Sequence, residues 1–237
     1  MSLFSINQSI KISVVIPAYQ EEENLRVLLP RIIEELNTLD ELWEVVVVDT
    51  MIPLDATKEV CDKNRVRYAS RQGGENYGDA VRTCIKEAQG DFVIFMDADG
   101  SHSPNWISKL YLHRNLYDVV VASRYIEQGH TENTWILVMM SKILNITYKI
   151  ILNINCNDVS NSFRLYHREQ IQKLILKCNH FDIVEEILVK LSRQNKLLKI
   201  HEVPFTFKQR MYGRTKRNLF LFMVTYLYTL IKLRFMS

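Results

Sequence analysis

Residues 91–101 read DFVIFMDADGS, an apolar run followed at once by two carboxylates. A run such as Phe92 to Met96 is typical of a strand buried on both faces of a parallel sheet. Ligands of such sheets bind beyond the carboxyl ends of the strands. Asp97 and Asp99 would stand at that edge, where two carboxylates can hold one hard cation, Mg²⁺ or Mn²⁺. The same pair could instead cap a turn and remain solvated.

The chain on either side of this stretch alternates between strands and helices. Apolar runs predict strands, and apolar residues at helical spacing predict the helices between them. This alternation over residues 11–122 predicts an α/β domain with a mostly parallel central sheet and helices on both faces. The predicted strands are 11–16, 44–49, 66–69, 91–96 and 118–122, and the predicted helices are 25–36, 55–64, 81–88 and one that begins at Pro104.

The second half of the chain is more apolar and ends in a basic segment. A long apolar stretch covers 134–153, an amphipathic helix is expected at 182–195, and 198–207 is expected to be extended. Residues 219–231 are apolar and lie between Arg217 and Lys232, but they are shorter than the ~20 residues that span a bilayer. They predict a helix at a membrane surface or in the core. We therefore expect one domain over 1–217 and an apolar C-terminal helix over 218–237.

Composition narrows the class of protein. The 237 residues are 47% hydrophobic and 24% charged, with only seven Gly and five Pro, which excludes disordered and collagen-like chains. Four cysteines without a CxxC pair exclude a disulfide scaffold and a common zinc knuckle. These cysteines predict reduced thiols, and the first residues predict no signal peptide, so we expect a cytoplasmic protein.

Charge and motif searches point to an anionic ligand. Residues 199–237 carry eight basic side chains and one acidic side chain, which favours a phosphate or a lipid surface as partner. The Gly-rich turn 73–78 could approach a phosphate, although it matches neither GxGxxG nor a P-loop. No GxSxG or HExxH motif supports a hydrolase or a zinc enzyme. The aromatic residues of the tail lie in an apolar run, so we expect no nucleic-acid partner.

Several segments, taken in order, resemble family 2 glycosyltransferases with a GT-A fold. Within that family they are most similar to the dolichol-phosphate mannosyltransferase-like, or polyprenyl-phosphate sugar synthase, group. The resemblance covers residues 11–217. The segments are SVVIPAYQEEENL (13–25), GENYGDAVRTCIKEAQGDFVIFMDADGSHSP (74–104), ASRY (122–125), DVSNSFRLYHRE (158–169) and EVPFTFKQRMYGRTK (202–216).

The resemblance implies a role for particular residues. It implies a cation on Asp97, Asp99 and Ser101, a phosphate contact for Arg124, and an acidic site residue at Glu186. The residues implied to contact the nucleotide sugar are Pro17, Ala18, Tyr19, Glu21, Asp49, Gly78, Asp97, Ala98 and Asp99, and the basic residues implied near the acceptor are Arg164, Arg210 and Lys216.

The activity implied is inverting transfer of a hexose from a donor of the GDP-mannose or UDP-glucose type to a polyprenyl or dolichyl phosphate. The implied setting is the cytoplasmic face of a membrane, with a homo-oligomer possible. A hydroxyl acceptor is an alternative that would need a general base, Asp158 or Glu186. A nucleotidyltransferase and a non-catalytic nucleotide-sugar-binding protein are further alternatives.

One departure from the family pattern motivates the non-catalytic alternative, and a second affects an expected contact with the acceptor phosphate. Relatives usually read DDGSTDGT where residues 49–57 read DTMIPLDAT, which changes the loop expected to meet the base and ribose. Relatives usually carry an Arg just before the serine of the long apolar helix, whereas residues 137–140 read LVMM before Ser141.

Overall fold

A computed structural model describes residues 9–213 and 228–235. The strands are β1 (Ile12–Pro17), β2 (Trp43–Asp49), β3 (Arg67–Ser70), β4 (Phe92–Phe95), β5 (Val119–Ser123), β6 (His130–Thr131), β7 (Arg164–His167), β8 (Ile200–Pro204) and β9 (Thr206–Phe207). The helices are α1 (Glu22–Asn37), α2 (Thr57–Asn64), α3 (Tyr77–Glu87), α4 (Trp106–Leu112), α5 (Trp135–Leu152), α6 (Arg168–Gln172), α7 (Ile183–Gln194) and α8 (228–235).

Seven strands form the central sheet in the order β3-β2-β1-β4-β7-β5-β8, and β6 pairs with β9 in a small second sheet. All pairings in the central sheet are parallel except those of β7, which runs antiparallel to both β4 and β5. The predicted mostly parallel α/β fold is therefore confirmed. The antiparallel β7 was not predicted, because a four-residue strand with Arg at one end and His at the other lacks a buried apolar run.

Helices cover both faces of the sheet because strand side chains alternate between the two sides. In β1, Val14 and Ile16 point into a core formed with α1, α2 and α4. Val15 points into the opposite core, which is formed with α3, α5, α6, α7 and α8. Each of these β1 residues is fully buried, as expected for a central strand covered by a helical layer on both faces.

Helix α5 confirms the predicted long apolar helix and is unusual in its exposure. Leu144, Asn145 and Tyr148 are buried against the domain. The opposite side is a stripe of apolar side chains, each more than half exposed: Trp135, Met139, Ile143, Ile146 and Ile150. By length and composition α5 is the one helix among the described residues that could cross a membrane.

The C-terminal helix that the sequence predicts at 219–231 is described only in part, as α8. Leu230 and Leu233 are buried in the core with α7, and the Lys232 ammonium lies 3.2 Å from the Asp182 carboxylate. This end of the chain therefore packs on the domain. Residues 218–227 lie outside the described residues, so a surface role for that part stays a prediction.

The four cysteines are buried and unpaired, in agreement with the prediction of reduced thiols. Burial raises the pKa of the Cys61 thiol to about 12, and burial also raises the pKa values of Cys84, Cys156 and Cys178.

We predict that Gly90→Ala destabilises the fold without altering the site. A Cβ at Gly90 would lie 2.6 Å from the Ile12 carbonyl carbon and the Ser13 nitrogen, both backbone atoms of β1. We expect a loss of about 3 kcal/mol in the free energy of unfolding, measured by urea denaturation. Gly73→Ala is the control, since its nearest contact would be 3.7 Å from a side-chain oxygen and only its positive φ is strained. Equal stability of the Gly90 variant and the parent would contradict the prediction.

Candidate active site

Three parallel strands end at the same edge of the sheet, where predicted site residues lie. β1 ends at Pro17, β2 ends at Asp49, and β4 leads into Asp97, so all three meet at the carboxyl edge where α/β proteins bind ligands. The sequence prediction that these residues converge is consistent with the strand order. Their contacts with a ligand stay predictions.

Asp97 and Asp99 form the centre of this edge. Each side chain is about one-quarter exposed, so both can be reached from solvent. Asp97 Oδ1 accepts a hydrogen bond of 3.0 Å from the Ser162 hydroxyl. Asp99 Oδ1 accepts hydrogen bonds from the backbone N–H of Ser101 (3.0 Å) and from its hydroxyl (2.6 Å). The two carboxylates are therefore oriented by short local contacts while part of each remains open.

The segment 208–213 closes over the Asp99 loop. The Met211 N–H donates to the Asp99 carbonyl at 2.9 Å, and the Lys208 N–H donates to the Ser101 carbonyl at 3.1 Å. Gly100 has φ of +80°, and a Cβ there would come within 2.4 Å of the Met211 side chain. The glycine is needed both for the turn and for this close approach.

Arg210 lies between two carboxylates. One of its terminal nitrogens lies 2.6 Å from both oxygens of Glu21, and the other lies 3.6 Å from Asp99 Oδ2. Asn24 donates to Glu21 at 2.6 Å and accepts from the Tyr212 N–H at 3.0 Å. Burial raises the pKa of Glu21, and the hydrogen bonds from Arg210 and Asn24 oppose that rise. The structure thus brings together two predicted residues, Glu21 and Arg210, with Asp99.

The ends of β2 and β3 form the side of the site where the sequence predicts the nucleotide. Asp49 is almost fully buried and accepts a 3.3 Å hydrogen bond from the Tyr68 hydroxyl. Burial raises the pKa of this carboxyl group. Tyr19 is half exposed, and the guanidinium of Arg71 lies 5.7 Å from its ring centroid. A half-exposed aromatic ring can stack on a nucleoside base.

Arg71 was missed by the sequence reasoning and joins several parts of this side. Its guanidinium donates to the carbonyl of Ala18 and, at 2.6 Å, to the carbonyl of Glu75, while its own N–H donates to the Asp49 carbonyl at 2.9 Å. The side chain is nearly buried. Its position one residue after β3 was the available signal, because strand ends converge at this edge.

The loop that departs from the family pattern is held by reciprocal hydrogen bonds. The Glu22 N–H donates to Asp55 at 3.0 Å, and the Ala56 N–H donates to Glu22 at 3.0 Å. The Met51 N–H donates to Glu75 at 2.9 Å. The altered loop is thus tied to the start of α1 and to the Gly-rich turn, although it lacks the second acidic residue and the Gly-Ser of the family pattern.

Arg124 and Arg164 make contacts within the protein, and their predicted phosphate contacts stay predictions. Arg124 forms a two-pronged ion pair with the fully buried Asp158, at 2.6 and 2.8 Å. Arg164 is fully buried in β7, where it donates to the Tyr166 hydroxyl and to the carbonyls of Val184 and Val159, among others. The structure gives Arg164 a role in packing and does not bring its guanidinium to the open site.

Of three further predicted residues, Glu186 and Gly78 make their described contacts within the protein. Glu186 is fully buried and accepts hydrogen bonds from the N–H groups of Lys177 and Cys178. Gly78 packs so closely on 178–179 that a Cβ would lie 2.3 Å from the Cys178 carbonyl oxygen. Its N–H donates to the Asn179 carbonyl at 2.8 Å, so its predicted nucleotide contact stays untested. Lys216 lies outside the described residues.

The donor atoms at the centre of the site suit a hard divalent cation. Two carboxylates and the Ser101 hydroxyl are oxygen donors of the kind Mg²⁺ and Mn²⁺ prefer. The described residues contain no cluster of three or more His, Cys, Asp or Glu side chains suited to a metal. Mg²⁺ bound by one or two carboxylates commonly takes its remaining ligands from water and from substrate phosphates.

Known proteins are similar to this chain in sequence. The dolichol-phosphate mannosyltransferase of Pyrococcus furiosus is 35% identical over 213 residues, which cover 87% of this chain and 59% of that protein. The chain therefore spans less than two thirds of that relative. The polyprenol monophosphomannose synthase of Mycolicibacterium smegmatis is 27% identical, over 86% of this chain and 80% of that protein.

Solved structures show the same fold. The glucosyl-3-phosphoglycerate synthase of Mycobacterium tuberculosis, in complex with Mn²⁺, uridine diphosphate and glucosyl-3-phosphoglycerate, superposes with a TM-score of 0.72. It is 18% identical, and the match covers 94% of this chain and 80% of that chain. The same enzyme has also been crystallised with Mg²⁺ and uridine diphosphate.

The profile of the family described as "Glycosyl transferase family 2" matches residues 13–175. That range contains β1 to β7, with Asp49, Asp97 and Asp99 at the carboxyl edge of the sheet. The chain belongs to glycosyltransferase family 2.

Proposed function

We propose that this protein transfers a hexose, with inversion, from a nucleotide-diphosphate sugar to the phosphate of a polyprenyl or dolichyl lipid. The names of the relatives from Pyrococcus furiosus and Mycolicibacterium smegmatis support a lipid phosphate acceptor. A third relative, 28% identical, is an undecaprenyl-phosphate 4-deoxy-4-formamido-L-arabinose transferase of Proteus mirabilis. All three names contain a polyprenyl-type carrier, while two name mannose and the third names 4-deoxy-4-formamido-L-arabinose.

The choice of a phosphate acceptor rests on the burial of the two candidate general bases, Asp158 and Glu186. A sugar or protein hydroxyl must lose a proton as it attacks, which requires a base within reach. Asp158 and Glu186 are both fully buried, Asp158 in its pair with Arg124 and Glu186 in its bonds to the 177–178 backbone and Lys190. A phosphate monoester is already largely dianionic at neutral pH, since its second pKa is about 6, and needs no base.

The reaction then balances without proton transfer. An oxygen of the acceptor phosphate forms a bond to C1 of the sugar, and the bond from C1 to the nucleoside diphosphate breaks. Asp97, Asp99 and Ser101 would hold Mg²⁺ or Mn²⁺, which supplies positive charge for the departing diphosphate. Tyr19, Asp49 and the Arg71-linked loops would orient the nucleoside, and the protein's main task is to align two anions.

Arg210 is suited to the acceptor side of this reaction. It already lies between Glu21 and Asp99, so the guanidinium can bind an anion that arrives beside the Asp99 loop. One guanidinium group can donate two parallel hydrogen bonds to two oxygens of the same phosphate. The basic residues that follow, including Lys216, would extend this contact along the chain.

The α5 stripe supports association with a membrane surface. The stripe carries five large apolar side chains on one side of a helix whose other side is anchored in the domain. Such a helix can lie in the boundary between headgroups and acyl chains, with its axis along the surface. We propose that the protein is peripheral on the cytoplasmic face, where α5 would bring the site to a lipid-borne acceptor.

The test of the proposed function is a nucleotide-release assay with purified protein and Mn²⁺. GDP-mannose, UDP-glucose and UDP-N-acetylglucosamine are each supplied with and without a polyprenyl phosphate in detergent. We expect release of a nucleoside diphosphate from one donor only when the lipid phosphate is present. Asp99→Ala should lower that rate by about 100-fold or more, because charge stabilisation of the leaving group is lost.

Three results would change the conclusion. Release that depends on a free sugar or a peptide, and not on the lipid phosphate, would indicate a hydroxyl acceptor. Donor binding without turnover would favour a non-catalytic member of the family. Full activity of a folded Asp99→Ala variant would remove the predicted role of the Asp97–Asp99 pair.

Glu186→Gln should affect stability and not the chemical step. The substitution takes the charge from a buried carboxylate that accepts three backbone hydrogen bonds and lies 3.0 Å from Lys190. We expect the free energy of unfolding to fall by about 2–4 kcal/mol, with kcat retained at a temperature where the variant is folded.

The matched control is Glu169→Gln, which removes an exposed carboxylate from a similar i,i+4 pair with Lys173. It should change stability little, because exposed pairs are screened by solvent. A large fall in kcat for a fully folded Glu186→Gln variant would instead support the general-base alternative.

Replacing part of the α5 stripe should weaken membrane binding. Ile143, Ile146 and Ile150 changed together to Ser should lower partition onto anionic phospholipid vesicles by about 10-fold or more, because burial of each isoleucine is worth roughly 1.5–3 kcal/mol. Co-sedimentation measures the bound fraction. The control changes three exposed apolar residues elsewhere, Leu112, Ile175 and Leu197, to Ser, and binding should remain at the parental level. Equal losses in both variants would argue against a specific role for α5.

A further inference from the structure

We infer that His102 is a positioning residue that orients the Asp97 carboxylate for cation binding. This inference rests on the proposed function, in which Asp97 holds the cation. It concerns a residue that touches neither substrate nor cation and acts through the carboxylate beside it.

His102 is enclosed in an aromatic cage behind the metal motif. The side chain is fully buried. Its ring stacks on Phe163 with centroids 4.8 Å apart, and it meets the rings of Phe205 and Phe207 edge-on at 5.7 and 5.8 Å. Polar atoms in such surroundings are costly unless they are hydrogen-bonded. The contacts of the two ring nitrogens therefore decide what the residue does.

The first nitrogen fixes the tautomer. His102 Nδ1 accepts a hydrogen bond of 3.0 Å from the backbone N–H of Asp97. A nitrogen that accepts a hydrogen bond carries no proton, so the proton of the neutral ring is on Nε2.

The second nitrogen is the unusual one. Nε2 is buried and has no hydrogen-bond partner among the described residues. Its distance to Asp97 Oδ2 is 3.7 Å, just beyond the ~3.2 Å limit of a good N–H···O bond. A buried donor without a partner costs about 1–3 kcal/mol, and such groups are rare enough in native proteins that each one calls for an explanation.

The two oxygens of Asp97 thus have separate neighbours. Ser162 donates to Oδ1 at 3.0 Å, and the Nε2–H of His102 is the nearby donor on the Oδ2 side. A hydrogen bond from Nε2 would fix the plane of the carboxylate and leave its remaining lone pairs for a cation. Partners of this kind, one shell behind the ligand, control metal affinity.

The cage also connects the cation motif to the segment that carries Arg210. Phe205 and Phe207 belong to the stretch of β8 and β9 that leads directly into residues 208–213. His102 contacts both rings and therefore packs against the stretch of chain that leads into the segment over Asp99. The residue can thus fix the position of the Asp97 carboxylate relative to residues 208–213.

Two substitutions separate the roles of the two nitrogens. His102→Asn keeps an acceptor near Nδ1 for the Asp97 N–H but removes the donor near Oδ2. His102→Gln reaches the Nε2 position with an amide donor but loses the acceptor. Affinity for Mn²⁺ alone is measured on the full-length protein by electron paramagnetic resonance, and thermal unfolding reports the fold.

We expect Mn²⁺ binding to weaken by about 10-fold or more in His102→Asn and to be largely restored in His102→Gln. A purely structural role predicts the reverse order, because the backbone acceptor would then be the contact that matters. Equal affinity of His102→Asn and the parent would overturn the inference.

A second test uses the unsubstituted protein and therefore does not depend on whether the variants fold. The Nε2 proton of His102 is followed by nitrogen-15 NMR while Mg²⁺ is added. We expect a downfield shift of that proton and slower exchange with water as the bond to Asp97 forms. An unchanged resonance at saturating Mg²⁺ would overturn the inference.

Asp97→Ala distinguishes this inference from the proposed function. If Asp97→Ala binds Mn²⁺ as well as the parent, Asp97 is not a ligand, and both its cation role in the proposed function and the role of His102 are rejected. If Asp97→Ala loses Mn²⁺ while His102→Asn binds normally, the cation site stands and only the role of His102 is rejected.

Discussion

The site is organised by the attraction of the Arg210 guanidinium for two carboxylates that follow different strands. Glu21 follows β1 and Asp99 follows β4, and these two strands are neighbours in the sheet. Two like charges at adjacent strand ends repel each other in partly buried surroundings. Arg210 lies between them, and its contacts hold residues 208–213 over the loop after β4. The same residue, Arg210, therefore holds the segment over the site and offsets the negative charge of Glu21 and Asp99.

The antiparallel strand β7 explains how residues from the second half of the chain reach the same edge. In a parallel sheet only the carboxyl ends of strands meet at the ligand edge. Because β7 runs the other way, its amino end lies there, and the preceding residues 158–163 arrive beside Asp97. Ser162, Phe163 and the Arg124–Asp158 pair all depend on this reversal. The single antiparallel strand thus adds the loop 158–163 to the ligand edge of a mostly parallel sheet.

The sequence predicted the parts of the structure that follow from local pattern. Apolar runs predicted β1, β2, β4 and β5, and helical spacing predicted α1, α3 and α7. The acid pair at the end of β4 followed from the requirement that a buried strand must end in a solvated loop. Those inferences needed only the chemistry of adjacent residues.

The remaining features depend on packing between distant segments. Arg164 and Glu186 have the charge expected of site residues, but their surroundings bury them among carbonyl and N–H groups. Arg71 looked ordinary in the sequence because its partner Ala18 is more than 50 residues away. His102 was predicted as a loop residue just after the acid pair that could contact a ligand, but its packing against Phe205 could not be predicted. A charged residue's role is set by which groups surround it, and that is information a single sequence does not carry locally.

The burial of the cysteines has a consequence for how the protein responds to oxidants. The thiolate is the form that attacks disulfides, peroxides and alkylating reagents. With a pKa of about 12, Cys61 is ionised at neutral pH only to about one part in 10⁵, and burial restricts access to all four thiols. The four native thiols are therefore expected to react slowly with such reagents. A single cysteine introduced on an exposed surface would be the one reactive thiol among the described residues, which makes site-specific spectroscopic labelling practical with the native cysteines left in place.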